Sequence, residues 1–385
     1  MVKLEKVQIA GGGIAGLSAG VALTRADVEV EVHERFAEFQ GRATGFSIWA
    51  FAVKHLIEWG FDQDRLDSIG REIVESHIVD GSDRPLMTLP IHESAKQVGA
   101  PSMDVDRRRL QEELLDLMGP ERYHFNSEVT GVEQADGTAA LLLADGTRQS
   151  GDLVLGGDGI HSIVRDQVLN QTVDMKRSRY DVIEGIASLD ESHLARGHHK
   201  QVWGPRARCG VGWVSDERAR WFLSGRGVAL AGDPPLSKDD LLVKVEGLPD
   251  IVSAVVEGTP EDQIICTGVQ HAFPPKSWHD GRVLLLGDAA HTLSPFAGMG
   301  ACSTIEDVAH LTVLLSSSAS LEDALSAFQH DREGDVTRIE KNGRHNEQMM
   351  MPTNALFYWV RNEVLGHTPD EKLQEIAEEM TAGEN

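Results

Sequence analysis

Cysteine is scarce in this sequence. The 385 residues include three cysteines, Cys209, Cys266 and Cys302, which lie far apart and form no Cys-x-x-Cys pair. An odd number of distant cysteines indicates neither a disulfide framework nor a zinc site. The sixteen histidines are scattered rather than set at ligand spacing, the neighbours His198 and His199 included. We therefore expect buried thiols and no bound metal.

Positive charge is also in short supply. Lysine and arginine together number 36 against 61 aspartates and glutamates, which gives a net charge of −25. A charge of this sign repels nucleic-acid phosphates and anionic lipid surfaces. The composition therefore predicts no nucleic-acid partner and no membrane partner.

Long apolar runs and a leader segment are missing as well. The longest runs, such as Val283 to Leu286, are far shorter than the ~20 residues that span a bilayer. A strand already begins near Lys6, which leaves no room for a cleavable signal region, so we expect a cytoplasmic protein. Apolar residues make up 41% and charged residues 25% of the chain, as in ordinary globular proteins.

The length of the chain favours two domains, and the order of its elements predicts that they interleave. Strand, glycine turn, helix and strand open the chain, whereas short alternating runs between Gly, Pro and Asp indicate an antiparallel sheet further on. Helices are predicted over 17–25, 50–59 and 106–118. The α/β unit of Rossmann type is predicted over 1–70, 101–175 and 276–320, the antiparallel-sheet unit over 71–100 and 176–275, and a helical C-terminal region over 321–385.

The first motif is a GxGxxG turn between the first strand and the first helix. Its residues are Gly11, Gly13, Ile14, Ala15 and Gly16. Glycines at this spacing permit a tight turn and a close approach of backbone to pyrophosphate, and the helix N-terminus offers N–H groups. Glu34 ends the next strand, where an acid accepts hydrogen bonds from ribose hydroxyls. The alternative is a glycine turn beside an incidental surface glutamate. The combined pattern predicts a dinucleotide site but does not distinguish FAD from NAD.

Two further segments carry a more specific signal. Gly151 to Arg165 contains a Gly-Asp-Gly step at Asp158, and Gly287 to Ala301 contains a Gly-Asp step at Asp288. Together with the glycine turn, in this order and spacing, they resemble the fingerprints of the class A flavoprotein monooxygenases, the family of p-hydroxybenzoate hydroxylase, salicylate hydroxylase and 6-hydroxynicotinate monooxygenase. The resemblance covers most of the chain outside the middle sheet. It implies that FAD is the cofactor, that the α/β unit binds it, and that the sheet unit binds the substrate.

The resemblance also implies cofactor contacts. Asp288 is expected to accept a hydrogen bond from a ribityl or ribose hydroxyl. A helix opening at Ser303 or Thr304 would turn its positive end to the flavin edge that gains negative charge on reduction. A helix cap is the alternative for Asp288, and a simple turn is the alternative to an indirect cofactor role for Asp158. The remaining residues expected at the cofactor are Arg35, Arg42, Arg107, Pro295, Gly298, Met299, Gly300 and Ala301. Surface exposure is the alternative for Arg42.

The nicotinamide cofactor is expected to have no domain of its own, because the sequence contains no second GxGxxG turn. The resemblance implies that NADH or NADPH binds transiently and reduces FAD. It further implies that O2 adds at flavin C4a and that the hydroperoxide hydroxylates a small aromatic or heteroaromatic substrate. The partners are therefore the substrate, O2 and NAD(P)H, and we expect a monomer or a homodimer.

The sequence departs from the family where the substrate should bind. Some relatives have a histidine in the segment that here is Gly45 to Trp49, and a proline nearby where this chain has Ala50 and Phe51. No catalytic base is therefore predicted. Substrate contacts are expected from Trp213, Phe222, Pro295 and Phe296, and the further candidates for pocket walls are His161, Trp203, Trp221 and His271. An aromatic residue on an alternating strand is nevertheless more often part of the core than a ligand contact.

Two other functions remain open at this point. An epoxidase, or another FAD-dependent oxidoreductase acting on an alkene or isoprenoid, would have the same architecture with a more apolar pocket. A flavin-binding protein without turnover belongs to a different class, although intact glycines in all three segments argue against it.

Overall fold

The computed structural model describes residues 2–40, 44–135, 137–168, 176–205, 207–225, 237–271, 274–352 and 354–383. The helices of these residues are, in chain order, α1 (Ile14–Arg25), α2 (Ala50–Glu58), α3 (Gln63–Ile69), α4 (Ile91–Val98), α5 (Arg107–Met118), α6 (Ile163–Val168), α7 (Lys238–Val245), α8 (Asp250–Glu257), α9 (Gly300–Ser317), α10 (Leu321–Met350), α11 (Ala355–Leu365) and α12 (Asp370–Ala382).

The strands are, in chain order, β1 (Lys6–Ala10), β2 (Glu29–His33), β3 (Gly45–Ile48), β4 (Gly70–Glu72), β5 (Glu75–Asp80), β6 (Pro85–Leu89), β7 (Met103–Asp106), β8 (Tyr123–His124), β9 (Val129–Ala135), β10 (Thr138–Leu143), β11 (Arg148–Gly151), β12 (Leu153–Gly156), β13 (Lys176–Ser188), β14 (His198–Trp203), β15 (Ala207–Trp213), β16 (Arg218–Gly225), β17 (Ile265–His271), β18 (His279–Asp280) and β19 (Val283–Leu285).

A six-stranded sheet in the order β18-β19-β12-β1-β2-β8 confirms the predicted α/β architecture. Its strands pair in parallel except β18 with β19. Ile9, for example, pairs with Val32 on one side and with Leu155 on the other, and all three are fully buried. Parallel strands covered on both faces have this continuous apolar character. The chain leaves β1, β12 and β19 at one edge of the sheet, and Gly11, Gly157 and Gly287 are therefore neighbours there.

Two helices begin earlier than the sequence pattern predicts. α1 begins at Ile14 rather than Leu17, because the last residues of the glycine turn are already helical. α9 begins at Gly300, so the expected start at Ser303 or Thr304 is wrong. The N–H of Ser303 donates to the carbonyl oxygen of Met299 at 2.7 Å, so the helical hydrogen bonds already begin at Met299.

The second large sheet has seven strands in the order β17-β13-β16-β15-β14-β5-β6. It joins the two stretches in which short alternating runs predict strands. Its strands pair antiparallel, as predicted, except β14 and β5, which pair in parallel. The chain reaches β14 only after passing through the α/β unit, and this long crossover permits the parallel direction. The domain boundaries given above stay a prediction.

Helices also occur inside the stretches predicted as sheet. α4 lies between β6 and β7, and α7 and α8 lie between β16 and β17. The last two cover one face of the seven-stranded sheet, where Leu241, Val252 and Val255 pack in a second hydrophobic core. The opposite face of this sheet is therefore left to line a site.

The C-terminal region is helical, as the sequence predicts. α10 packs against α9, and α12 packs against α4. No helix among the described residues is both long and apolar enough to cross a membrane.

Replacing Gly334 with alanine should stabilise the protein. Gly334 lies on the exposed side of α10, and a methyl group there would meet no atom within 4 Å. Alanine loses less backbone entropy than glycine in a helix, so we expect a gain of about 0.5–1 kcal/mol in the free energy of unfolding, measured by urea denaturation. Gly343→Ala in the same helix is the control, since its methyl would crowd Ser294 and Ala297 at 3.1 and 3.2 Å. An equal gain in both variants would contradict this account.

Candidate functional site

Two cavities meet at the edge of the six-stranded sheet where the three glycine loops leave it. The smaller has a volume of about 220 Å³ and the larger about 470 Å³. Gly13, Arg107, Gly157 and Gly159 line both of them. A ligand that extends from one cavity into the other must therefore pass directly over the glycine turn.

The smaller cavity contains the predicted ribose-binding acid. Glu34 lines it, and its Oε2 accepts the N–H of Gly12 at 2.9 Å. The Tyr123 hydroxyl donates to the carbonyl oxygen of Gly12 at 3.1 Å, and burial, with the charge of Glu34 added, raises the pKa of this phenol. Arg35 and His161 also line this cavity. The predicted contact Arg42 lies outside the described residues.

The glycine turn has the shape of a cradle for phosphate. A Cβ atom on Gly16 would overlap the carbonyl oxygen of Gly11, and one on Gly12 would overlap the Tyr123 ring. A Cβ atom on Gly13, in contrast, would meet no protein atom within 4 Å, because this residue faces the cavities. The turn is therefore closed toward the protein and open toward a ligand, which is the arrangement that a diphosphate on a helix N-terminus requires.

Asp158 and Arg107 lie beside this turn and line the smaller cavity. Oδ2 of Asp158 accepts the backbone N–H groups of Ile163 and Val164 at 2.8 and 3.2 Å, so the side chain holds the start of α6. Its Oδ1 is buried, as is Nε of Arg107, and neither atom has a hydrogen-bond partner among the residues that the structure describes. Burial raises the pKa of the Asp158 carboxyl, against the hydrogen bonds that it accepts. Unpaired buried groups of this kind are suited to receive a polar ligand.

The loop before α9 forms one wall of the larger cavity. The predicted residues that line it are Ile14, Ala15, Asp288, Pro295, Phe296, Gly298, Met299, Gly300 and Ala301. Gly300 is the first residue of α9, so the N-terminus of this helix faces the cavity. Asp288 is exposed to the cavity, but the protein around it removes enough water to raise the pKa of its carboxyl, and the nearby His291 and Arg107 oppose this rise. An isoalloxazine ring would fit at this wall, because the N-terminus of α9 stabilises the negative charge that the ring gains on reduction.

A buried ion network supports this loop from behind. Asp307 on α9 accepts the N–H of Gly287 at 3.1 Å and contacts Nε2 of His291 at 2.6 Å through the same oxygen. Its other oxygen accepts Nε–H of Arg332 on α10 at 2.8 Å. The carboxylate therefore fixes the residue that precedes Asp288. Sequence reasoning missed Asp307 and Arg332, because a buried polar residue leaves no distinct mark on a helical pattern.

The opposite wall of the larger cavity is one face of the seven-stranded sheet. Alternate residues of four strands line it: Val182, Glu184, His199, Gln201, Arg208, Arg220, Phe222 and Ser224. Phe222 packs over Gly210, where a Cβ atom would overlap its ring, and the Asp104 carboxylate occupies the corresponding space over Gly212. Two glycines at alternate positions of one strand are a signal that could have identified this face, because glycine inside a strand often marks close approach.

The predicted aromatic contacts divide between the two faces of this sheet. Phe222 lines the cavity, whereas Trp213 and Trp221 belong to the second hydrophobic core. The indole N–H of Trp213 donates to the carbonyl oxygen of Leu194 at 3.2 Å, and that of Trp221 donates to the Thr259 hydroxyl at 2.8 Å. The structure therefore does not bring Trp213 to the cavity.

The two remaining candidates for the pocket walls are Trp203 and His271. Trp203 is buried, and its indole N–H donates to Oε1 of the cavity residue Gln201 at 3.0 Å. The side chain of His271 lies outside the described residues.

A second buried ion network lies beside Phe222. Asp104 accepts Nε–H of Arg220 at 2.9 Å, contacts Nδ1 of His199 at 2.9 Å, and accepts the Ser47 hydroxyl at 2.8 Å. Burial alone would raise the pKa of the Asp104 carboxyl, but Arg220 and His199 outweigh it and hold this pKa well below its usual range. The guanidinium of Arg220 is therefore already paired with a carboxylate of the protein.

Some of the histidines are less scattered than the sequence suggests. Glu75 and His198 are opposite each other on the parallel strands β5 and β14, and His77 lies two residues from Glu75 on the same face. Oε2 of Glu75 is 3.1 Å from Nε2 of His77 and 4.0 Å from Nε2 of His198. These three side chains are close enough to hold a metal ion, and they are not among the residues that line the two cavities.

Comparison with known proteins identifies relatives over nearly the whole chain. A family model described as "FAD binding domain" matches residues 5–342. An aurachin C monooxygenase/isomerase of Stigmatella aurantiaca is 30% identical over 359 residues, 93% of this chain and 93% of that protein. A FAD-dependent urate hydroxylase of Klebsiella pneumoniae is 27% identical, over 93% of this chain and 95% of its own. The crystal structure of Klebsiella pneumoniae HpxO complexed with FAD and uric acid has the same fold, with a TM-score of 0.89 at 23% identity, over 98% of this chain and 97% of that one.

Proposed function

The chain belongs to the FAD binding domain family and is a flavoprotein monooxygenase, and we propose that it hydroxylates a small aromatic or heteroaromatic substrate in the larger cavity. The observation that carries this proposal is the pair of joined cavities. One is bounded by a phosphate cradle, and the other lies between a helix N-terminus and the polar face of a sheet. NAD(P)H and O2 are the co-substrates.

The residues of the glycine turn would hold FAD at its diphosphate. Glu34 would bind the adenosine ribose, Arg107 would contact the phosphates, and Asp288 with the N-terminus of α9 would face the isoalloxazine ring. Bound FAD supplies the redox and oxygen chemistry. The protein residues bind and orient the substrate and keep water out of the cavity, and the buried side chains of Leu293 and Phe296 contribute to this exclusion.

The experiment that tests this proposal begins with the absorbance spectrum of the purified protein. Oxidation of NADH or NADPH is then followed in air with phenolic, pyridine and quinolone compounds. We expect flavin bands, ligand-stimulated loss of NAD(P)H that requires O2, and one ¹⁸O atom from ¹⁸O2 in the product. Failure to retain flavin even after FAD is added would overturn the whole assignment.

The same experiment separates the remaining functions. An epoxide product would replace the hydroxylase by the epoxidase. Oxidation of the ligand without ¹⁸O would indicate another oxidoreductase. NAD(P)H loss that stays at background with every ligand, although FAD is bound, would favour the flavin-binding protein without turnover.

A further inference from the structure

The sheet wall of the larger cavity carries unpaired groups of opposite character on either side of Phe222. We propose that the substrate is a planar heterocycle with an acceptor oxygen at one end and an ionisable N–H or O–H at the other, and that Arg208 with Ser224 binds the oxygen while Glu184 accepts the N–H or O–H. This inference rests on the proposed function and names the substrate class of the same site.

Phe222 provides the platform for the ring. It lies on β16 between Glu184 of β13 and Gly210 of β15, which are its direct partners in the sheet. Because Gly210 has no side chain, the aromatic ring of Phe222 lies close to the sheet, and it lines the cavity with the Arg208 guanidinium 4.9 Å from the ring centroid. A flat ligand that packs on this ring would therefore lie next to that guanidinium. Aromatic faces pack well against planar rings.

Arg208 is a buried cation that has no carboxylate partner among the described residues. It is 9% exposed, and its Nε and Nη2 both donate to Oε1 of Gln201, at 3.1 and 2.7 Å, whereas Nη1 donates to no acceptor among the described residues. Burial, with the charge of Arg220 added, lowers the pKa of its guanidinium to about 9, so it is still protonated at neutral pH. A buried charge without a counter-charge is costly, and an oxygen acceptor of the ligand would reduce this cost.

Ser224 gives an independent indication at the same end of the cavity. It is the direct partner of Arg208 across β16 and β15. Its side chain is 3% exposed and lines the cavity, and its hydroxyl has no hydrogen-bond partner among the described residues. Arg208 and Ser224 together therefore offer two donors to one oxygen atom of a bound molecule.

Glu184 stands at the other end, and no described residue forms a hydrogen bond or ion pair with its carboxylate. Burial raises the pKa of this acid, and the charges of Arg107 and Arg220 oppose the rise. Glu184 and Arg208 lie two strands apart, about 10–12 Å between their Cα atoms at the usual strand spacing. Their side chains can therefore reach the two ends of a one-ring or two-ring system that lies on Phe222.

The test measures binding to the FAD-loaded enzyme by the change in flavin absorbance. The probes are 4-quinolone, which has a carbonyl opposite its ring N–H, N-methyl-4-quinolone, which lacks the N–H, and quinoline, which lacks both the carbonyl and the N–H. We expect 4-quinolone to bind at least tenfold more tightly than either analogue, since a hydrogen bond to a charged group is lost in each case.

Three variants show which residue recognises which group. Glu184→Gln should weaken binding of 4-quinolone by about tenfold or more and leave N-methyl-4-quinolone unchanged. Arg208→Met should weaken both quinolones by a similar factor and leave quinoline unchanged, and Ser224→Ala should act in the same direction with a smaller effect. Bound FAD per protein and the circular dichroism spectrum verify that each variant is folded.

The outcomes are decisive in both directions. Equal effects of a variant on all three probes, equal affinity of the wild type for all three, or no binding of any probe to intact holoenzyme would each overturn the assignment. If Arg208→Met fails to fold, the wild type with the three probes and Ser224→Ala still decide the question. Failure of the proposed function would instead appear as absent ¹⁸O incorporation, which this binding assay does not measure.

Discussion

Gly16→Ala should yield a protein that does not retain FAD. A Cβ atom at this position would overlap the carbonyl oxygen of Gly11, which belongs to the backbone and cannot rotate away. Either α1 must move away from the turn or the turn must open, and both disrupt the phosphate cradle. We expect the flavin absorbance per protein to fall to background and the dissociation constant for added FAD to rise by at least a hundredfold, with a loss of about 1–3 kcal/mol in stability from overpacking.

Gly13→Ala is the matched variant, three residues earlier in the same motif and on the side that faces the cavities. Its backbone angles, φ −76° and ψ −166°, suit any residue, and its Cβ atom would meet no protein atom within 4 Å. We therefore expect the apoprotein to unfold at the wild-type temperature while FAD affinity still falls, because the methyl group would occupy ligand space. If Gly13→Ala retained full FAD affinity, the cradle would not be the diphosphate site.

These two glycines also show what could be read from the sequence. A turn between a strand and a helix is local, and the requirement for glycine follows from a few consecutive residues. The same holds for Asp288 and the loop to Gly300, which form one short segment between β19 and α9. The α/β fold and the FAD assignment were therefore predictable, and the fold and the family are confirmed. The individual cofactor contacts stay a prediction.

The residues of the seven-stranded sheet that line the larger cavity could not be predicted in the same way. Their identity depends on which face of that sheet turns toward the cavity. On β16, Arg220, Phe222 and Ser224 share one face, and Trp221 belongs to the other. Alternation groups such residues correctly but leaves the choice of face open. The sequence therefore predicts both Phe222 and Trp213 at the cavity, although Trp213 packs in the second core.

The sequence pattern also could not predict contacts between distant segments of the chain. Tyr123 reaches Gly12 from β8, a strand of two residues that is too short to produce a pattern. Asp307 reaches Gly287 across the interface between α9 and the loop before it. Each contact depends on the packing of separate elements, and the residue types alone do not specify that packing.

Asp307→Asn should destabilise the protein strongly and weaken FAD binding. The side chain of Asp307 is fully buried, and that of Arg332 is 6% exposed, so the substitution removes the buried partner of this guanidinium and leaves it the partly exposed Asp335 at 3.0 Å. Removal of one partner from a buried ion pair costs about 3–5 kcal/mol. The hydrogen bond from the Gly287 N–H would weaken too, which loosens the loop that carries Asp288. Urea denaturation and FAD titration measure the two effects.

Asp331→Asn is the control for Asp307→Asn, since it removes an acid that also pairs with a histidine, but at the surface. Asp331 is 2.9 Å from His310, and these side chains are 44% and 31% exposed. Exposed pairs contribute about 0–1 kcal/mol, so this variant should behave almost like the wild type. If both variants lost the same stability, burial of the Asp307 network would not be the cause.

The pH dependence of stability gives a separate test of the Asp307 network. Burial alone would raise the pKa of the Asp307 carboxyl, but the neighbouring His291 and Arg332 outweigh it and lower this pKa from 3.8 to about 2. A carboxyl with a lowered pKa in the folded state stabilises the fold above its unfolded value, and this contribution is lost as the pH falls. The difference in unfolding free energy between wild type and Asp307→Asn should therefore narrow as the pH falls from about 4 to about 2. A difference that stayed constant down to pH 2 would mean that the charge of Asp307 does not stabilise the loop.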